Sequence, residues 1–282
     1  MKKILLPTDF SENSLNAIRY ALQLFKDQKC NFILLNTYTP IIHHVEYMKA
    51  DVAQFGLLDA MKEISQTGLK TVQDTIEAEF QNPNHIFSRI SAFNMLVSEI
   101  ELLYEENSMD MVVMGTQGAS GLKEVLFGSN AIHVLKSTKC PLLVIPSKYS
   151  YKVPNELLFP SDYGIDFTEK HVEEIKNIAE LHASTINIMH VTVEDELPPA
   201  KENNRQQLAN YFKDIPHTFH KINHHDIGIA ISELQSKSRN QFLVMMNNKR
   251  SFFENLFFGS KVKRIGLHLR TPFLIIPATI RK

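Results

Sequence analysis

The stretch that decides the fold is Asp110 to Ser147, DMVVMGTQGASGLKEVLFGSNAIHVLKSTKCPLLVIPS. Met111 to Met114 is a short continuous apolar run, the pattern of a strand buried on both faces of a parallel sheet. Gly115 closes it, Gly118 follows after two residues, and Gly128-Ser129 after nine more. Ser129 opens an amphipathic run with Ile132, Leu135 and Lys136 at helical spacing; Pro141 stops it, and Leu142 to Ile145 forms a second buried strand. A glycine at the C-terminal end of a strand lets backbone N–H groups approach an anion with no side chain between. A Gly-Ser at a helix start adds free N–H groups, a hydroxyl and the positive end of the helix dipole. Two such elements across one loop suit the phosphates of a nucleotide. Read from spacing alone, the same glycines are equally turn punctuation.

Working outward, Lys3 to Thr8 reads as a buried strand that ends at Asp9, and Ser11 and Glu12 supply the N-cap and first-turn acid of a helix carrying Leu15, Ile18, Leu22 and Phe25 inward. Asn31 to Asn36 is the next strand, so a right-handed strand–helix–strand unit with parallel pairing is expected. A long helix over Leu57 to Phe80, a strand over Ile86 to Ser91 and a helix over Met95 to Tyr104 lead back to the opening stretch. The alternation βαβαβαβαβ implies a doubly wound α/β sheet. Asp9 lies at the C-terminal end of the first strand, where open α/β sheets take ligands; a cap on the following helix is the other reading of the same residue.

After a polar, non-periodic linker at 148–154 the pattern repeats. Leu157 to Asp162 (LLFPSD) mirrors Leu5 to Asp9 (LLPTD), Thr185 to Val191 mirrors the second strand, Phe242 to Met246 the fourth, Gly259-Ser260 the Gly128-Ser129 pair, and Pro272 to Pro277 (PFLIIP) mirrors PLLVIP. The chain therefore divides into domains at 1–147 and 155–282. The copy departs at the glycines: aligning Gly259 on Gly128 puts Met246 at the place of Gly115 and Lys249 at that of Gly118. Phe252, Phe253, Phe257 and Phe258 make the copied loop aromatic, suited to core packing, a crevice cap or a partner surface.

The Gly115, Gly118, Gly128 and Ser129 spacing, with DMVVMG before and PLLVIP after, resembles the nucleotide-binding signature of the universal stress protein family, and the likeness extends over nearly the whole chain as two tandem domains. That resemblance implies two five-stranded parallel sheets of order 3-2-1-4-5, which bring the ends of the first and fourth strands to one crevice. It implies that an adenine nucleotide, ATP alone or with Mg, binds there in a stress-response protein. Gly115, Gly118, Gly128, Ser129 and Asn130 would meet phosphates, with Met114 at the strand end; Pro7, Thr8 and Asp9 would meet the adenosine end; Thr37 and Tyr38 would offer backbone to adenine. It also implies that the apolar closing strands, Leu142 to Ile145 and Phe273 to Ile276, pair as an intrachain pseudo-dimer, or in a homodimer. The alternative from another class is an interaction protein with a vestigial crevice and an unknown protein partner.

Other chemistry is bounded more simply. Thirty basic residues against 31 acidic leave a net charge of -1, so no bulk attraction to nucleic acid is expected. No apolar run approaches the roughly 20 residues of a membrane span, and the start MKKILLPTDF breaks at Pro7 too early for a signal peptide. Cys30 and Cys140 read as reduced thiols of a cytoplasmic protein. His43, His44 and Glu46 on one loop, and His217, His220, His224, His225 with Asp226, are metal-ligand types; a solvated loop and an alternating strand account for them without metal, and no metal site is expected. There is no Walker lysine and no paired base and nucleophile, so efficient catalysis is not expected, although slow hydrolysis is compatible with the site.

Overall fold

The computed structural model describes residues 1–39, 52–106, 108–116, 128–193, 196–224, 228–231, 233, 242–248 and 271–279. These form two compact units, one of the described residues up to Thr138 and one of those from Lys139 onward.

In the first unit the strands are β1 (Lys2–Pro7), β2 (Cys30–Thr37), β3 (His85–Ala92) and β4 (Met111–Gly115). All pair in parallel in the order β3-β2-β1-β4. Ile4, Leu5 and Leu6 of β1, Phe32, Leu34 and Leu35 of β2, and Met111 and Val112 of β4 are fully buried, which is why these segments read as unbroken apolar runs. Helix α1 (Glu12–Leu24) starts at the N-cap Ser11, whose hydroxyl accepts from the Ser14 N–H. Helix α2 (Val52–Glu79) turns Ser65, Leu69, Val72 and Ile76 inward, one or two turns apart, while Ile64 stays exposed. The bidentate Arg19–Glu79 pair ties α1 to α2, with both bonds at 2.7 Å. Helices α3 (Leu96–Glu105) and α4 (Ser129–Ser137) follow. Right-handed connections place α1 and α2 on one face of the sheet and α3 and α4 on the other.

His85 starts β3 buried, its ring edge-on to Phe32 at 4.8 Å. Nε2–H donates to the Phe25 carbonyl at 3.1 Å, and buried Nδ1 has no hydrogen-bond partner. Burial holds the His85 pKa below its usual value. The unfolded chain therefore takes up the proton first. We expect stability to be complete above about pH 6.5 and to fall as pH drops below it. Urea midpoints at pH 7.5 and 5.5 should show this fall, and His85→Gln should lessen it.

The second unit contains β5 (Leu142–Ile145), β6 (Glu156–Pro160), β7 (Thr185–Thr192), β8 (His217–Asn223), β9 (Phe242–Asn247) and β10 (Phe273–Pro277). Strands β10, β9, β6, β7 and β8 pair in parallel in that order, which is 5-4-1-2-3 of the repeat. Strand β5 joins antiparallel against β10, with Val144 opposite Phe273 and Leu143 opposite Leu274. The two closing strands thus meet each other, as their apolar character requires. Helices α5 (Glu169–His182) and α6 (Pro199–Tyr211) complete the unit. In α5, Val172, Ile175 and Ile178 are buried at helical spacing.

Candidate functional site

The turn after β1 is built from its own side chains. Thr8 is buried, its N–H donates to the Leu35 carbonyl at 2.8 Å, and its Oγ1 lies 2.9 Å from the Ser14 hydroxyl. The Phe10 N–H donates back to Thr8 Oγ1 at 3.0 Å, with Phe10 in the left-handed region at φ 64°. Asp9 Oδ1 accepts from the Ser11 N–H at 3.1 Å and the Ser11 hydroxyl at 2.5 Å. One carboxylate oxygen therefore does serve the helix start, while Asp9 itself stays exposed at the strand end. Asn36 Nδ2 donates to the Thr8 carbonyl at 2.7 Å and joins β2 to this turn.

The non-glycine left-handed residue Phe10 is held by packing. A Cβ built on Gly68 of α2 would lie 2.5–2.8 Å from three atoms of the Phe10 ring, so only a hydrogen fits there. Gly68→Ala should raise helix propensity by up to about 1 kcal/mol yet push the ring away and release the Thr8–Ser11 turn. We expect a net loss of stability, read from the urea midpoint.

Across the crevice, β4 ends at Gly115, and the Gly128 N–H donates to the Thr116 carbonyl at 2.6 Å, closing the two ends of the glycine loop. Gly128 is the N-cap of α4: among the described residues no side chain caps this helix, and no acid lies in its first turn. The positive end of the helix dipole there favours an anion.

These elements enclose a cavity of about 330 Å³. It brings together Pro7, Thr8, Asp9, Thr37, Met114, Gly115, Gly128, Ser129 and Asn130, nine residues that the sequence placed at one site. Gly118 lies outside the described residues, as do Lys123 and the segment 117–127 around it. Tyr38 is not part of the lining; its N–H donates to the Ala92 carbonyl at 3.0 Å and its ring lies 5.8 Å from Phe93. Sequence reading missed Ser14, Asn36 and Thr116, polar residues that line the same cavity. Asn36 alone carried a signal, a polar side chain ending an apolar strand.

The second unit repeats the turn, while the residue at the place of Gly115 differs. The Tyr163 N–H donates to Ser161 Oγ at 3.1 Å, Tyr163 has φ 53°, and the Gly164 N–H donates to Asp162 Oδ1 at 3.0 Å. Pairing of Leu5 with Val112 and of Leu158 with Leu243 sets the register of both copies, and counting on three residues puts Met246 at the place of Gly115. Met246 is buried, so the second copy carries a thioether side chain where the first has no side chain at all. Lys249, Arg250, the four loop phenylalanines and Gly259-Ser260 lie outside the described residues, as do His43, His44, Glu46, His225 and Asp226. Among the described residues no three His, Cys, Asp or Glu side chains converge on a metal position. His217 Nδ1 is bound to the Ile215 carbonyl and His220 Nε2 to Asn187 Oδ1.

The fold and crevice define a doubly wound α/β protein whose receptive site sits where the strand order reverses, between β1 and β4. The model of the universal stress protein family matches residues 1–146, and the chain belongs to that family. It is 29% identical over 161 residues to universal stress protein MJ0577 of Methanocaldococcus jannaschii, covering 53% of this chain and 97% of that one. It is 32% identical over 148 residues to universal stress protein MJ0531 of the same organism, covering 51% and 81%. A solved universal stress protein from Archaeoglobus fulgidus superposes with a TM-score of 0.73 at 19% identity over 98% of each chain, which extends the fold over both halves.

Proposed function

We propose that the first half binds an adenine nucleotide, ATP with magnesium, and that the protein is a stress-response switch of the cytoplasm. The observation that carries this reading is the uncapped, acid-free N-terminus of α4, which opens onto the same cavity as Asp9 and the end of β2. The backbone N–H groups at Ser129 and Asn130, with the Ser129 hydroxyl, suit phosphate oxygens. Asp9 suits ribose hydroxyls, which donate to a carboxylate. Thr37 and the apolar Pro7, Leu35 and Met114 suit the flat base. Magnesium would ride on the phosphates, since Asp9 is the one carboxylate among the described lining residues.

The proposed role is binding without efficient turnover: the described lining holds no lysine or histidine to move a proton or neutralise a leaving phosphate. ATP would order the loop bearing Gly118 and so alter the surface offered to a protein partner.

The test is denaturing release of small molecules from freshly purified protein, identified by mass spectrometry, followed by calorimetry with MgATP. One adenine nucleotide per chain, lost in Gly118→Lys, is the expected result. No nucleotide and no heat of binding would leave the crevice vestigial and favour an interaction protein.

A further inference from the structure

A second cavity, of about 440 Å³, lies in the second unit. It opens beside α6, the counterpart of α2, and is lined from the turn after β6, from β7 and from β8. Its floor is aromatic. Tyr163, fully buried, stacks on His190 with ring centroids 4.9 Å apart, and Phe219 lies 6.4 Å from Tyr163. The first unit has no such floor: Asn36 occupies the place of His190, each bound to the carbonyl before the conserved-length turn, and Phe10 lies on Gly68 instead.

The polar groups are fixed before any ligand arrives. Arg205 lies over the Phe219 ring at 5.3 Å and is held by a fork to Glu202 at 2.9 and 2.6 Å. That fork keeps the Glu202 carboxyl down at about 2, so the pair stays ionised. His190 Nδ1–H donates to the Ser161 carbonyl at 2.8 Å, which leaves Nε2 as the ring's acceptor on a residue that lines the cavity. Burial pushes the Tyr163 phenol up to about 12, so its hydroxyl remains a donor. Lys221 and Glu196 complete the lining, and the charged side chains balance, two basic against two acidic.

We propose that this cavity binds a small, net-neutral heteroaromatic zwitterion, of the class of a free amino acid with a ring N–H. The ring packs at the edge of Phe219 beside the Arg205 guanidinium, the ring N–H meets His190, the carboxylate meets Arg205, and the ammonium meets Glu196. A volume of this order suits a ligand of that size, and a balanced site disfavours molecules of single charge.

L-Tryptophan is the probe, because the chain contains no tryptophan and indole emission excited at long wavelength reports the ligand alone. The expected result is saturable binding with a Kd at or below about 1 mM, unaffected by saturating MgATP. Indole-3-acetate and tryptamine, each lacking one charge, should bind at least about tenfold more weakly. Arg205→Ala and Glu196→Gln should each weaken tryptophan by a similar factor; Glu196→Gln keeps shape and hydrogen bonding, so it reads the charge even where Arg205→Ala disturbs folding. Absence of binding, equal binding of the singly charged analogues, indifference to Glu196→Gln, or competition with MgATP would each overturn the proposal.

Discussion

If the first half binds MgATP as proposed, Gly115→Met is expected to remove that binding, raising Kd by at least about 100-fold, or some 2.7 kcal/mol. The chain already contains this substitution in effect. The β1–β4 and β6–β9 registers put Met246 at the corresponding place, and its side chain is buried there. Gly115 lines the cavity beside Met114, Thr116 and the N-terminus of α4. On the proposed reading, a Cβ and three more heavy atoms would crowd the space through which phosphates reach the α4 amides. The fold tolerates methionine at the end of such a strand, as β9 shows, so thermal unfolding of the variant should stay close to that of the parent. Calorimetry with MgATP decides it. Binding within tenfold of the parent would mean that the phosphates do not pass Gly115.

Leu274→Ala lowers stability by about 2–5 kcal/mol, the range for removing a buried leucine side chain. Leu274 is fully buried in β10, paired in parallel with Val244 of β9 and antiparallel with Leu143 of β5. A residue with strands on both sides and a packed layer above cannot be relieved by local collapse, so the cavity remains. The urea midpoint measures the loss. A change below about 1 kcal/mol would contradict the central position of β10. The cost should greatly exceed that of Arg19→Ala, because the Arg19–Glu79 pair is part-exposed and such pairs contribute about 0–1 kcal/mol.

The strands were legible because central parallel strands must be apolar on both faces, whereas their order was implied by the family resemblance. Leu5, Phe32, Val112 and Leu243, all fully buried, announce themselves without any knowledge of their partners. Helices with a buried stripe were legible for the same reason, α1 and α5 being the clearest. Helix α6 was not: it buries Leu208 alone, so no periodic stripe marks it, and it is recognised only by its place between β7 and β8.

The candidate nucleotide site divides in the same way. Gly115, Gly128, Ser129 and Asp9 could be chosen from sequence, because absence of a Cβ, a helix start and an acid at a strand end are local properties. Ser14, Asn36 and Thr116 could not, because each becomes a lining residue only when β1 lies between β2 and β4. The sequence by itself therefore determined the repeat, the sheet and the worn state of its second glycine loop. Tertiary structure alone decided that β5 and β10 run antiparallel with Leu143 opposite Leu274, that Phe10 packs on Gly68, and that Tyr163 turns onto His190 beside a second cavity. Those contacts join residues tens of positions apart or more, and chain-local periodicity has no term for them.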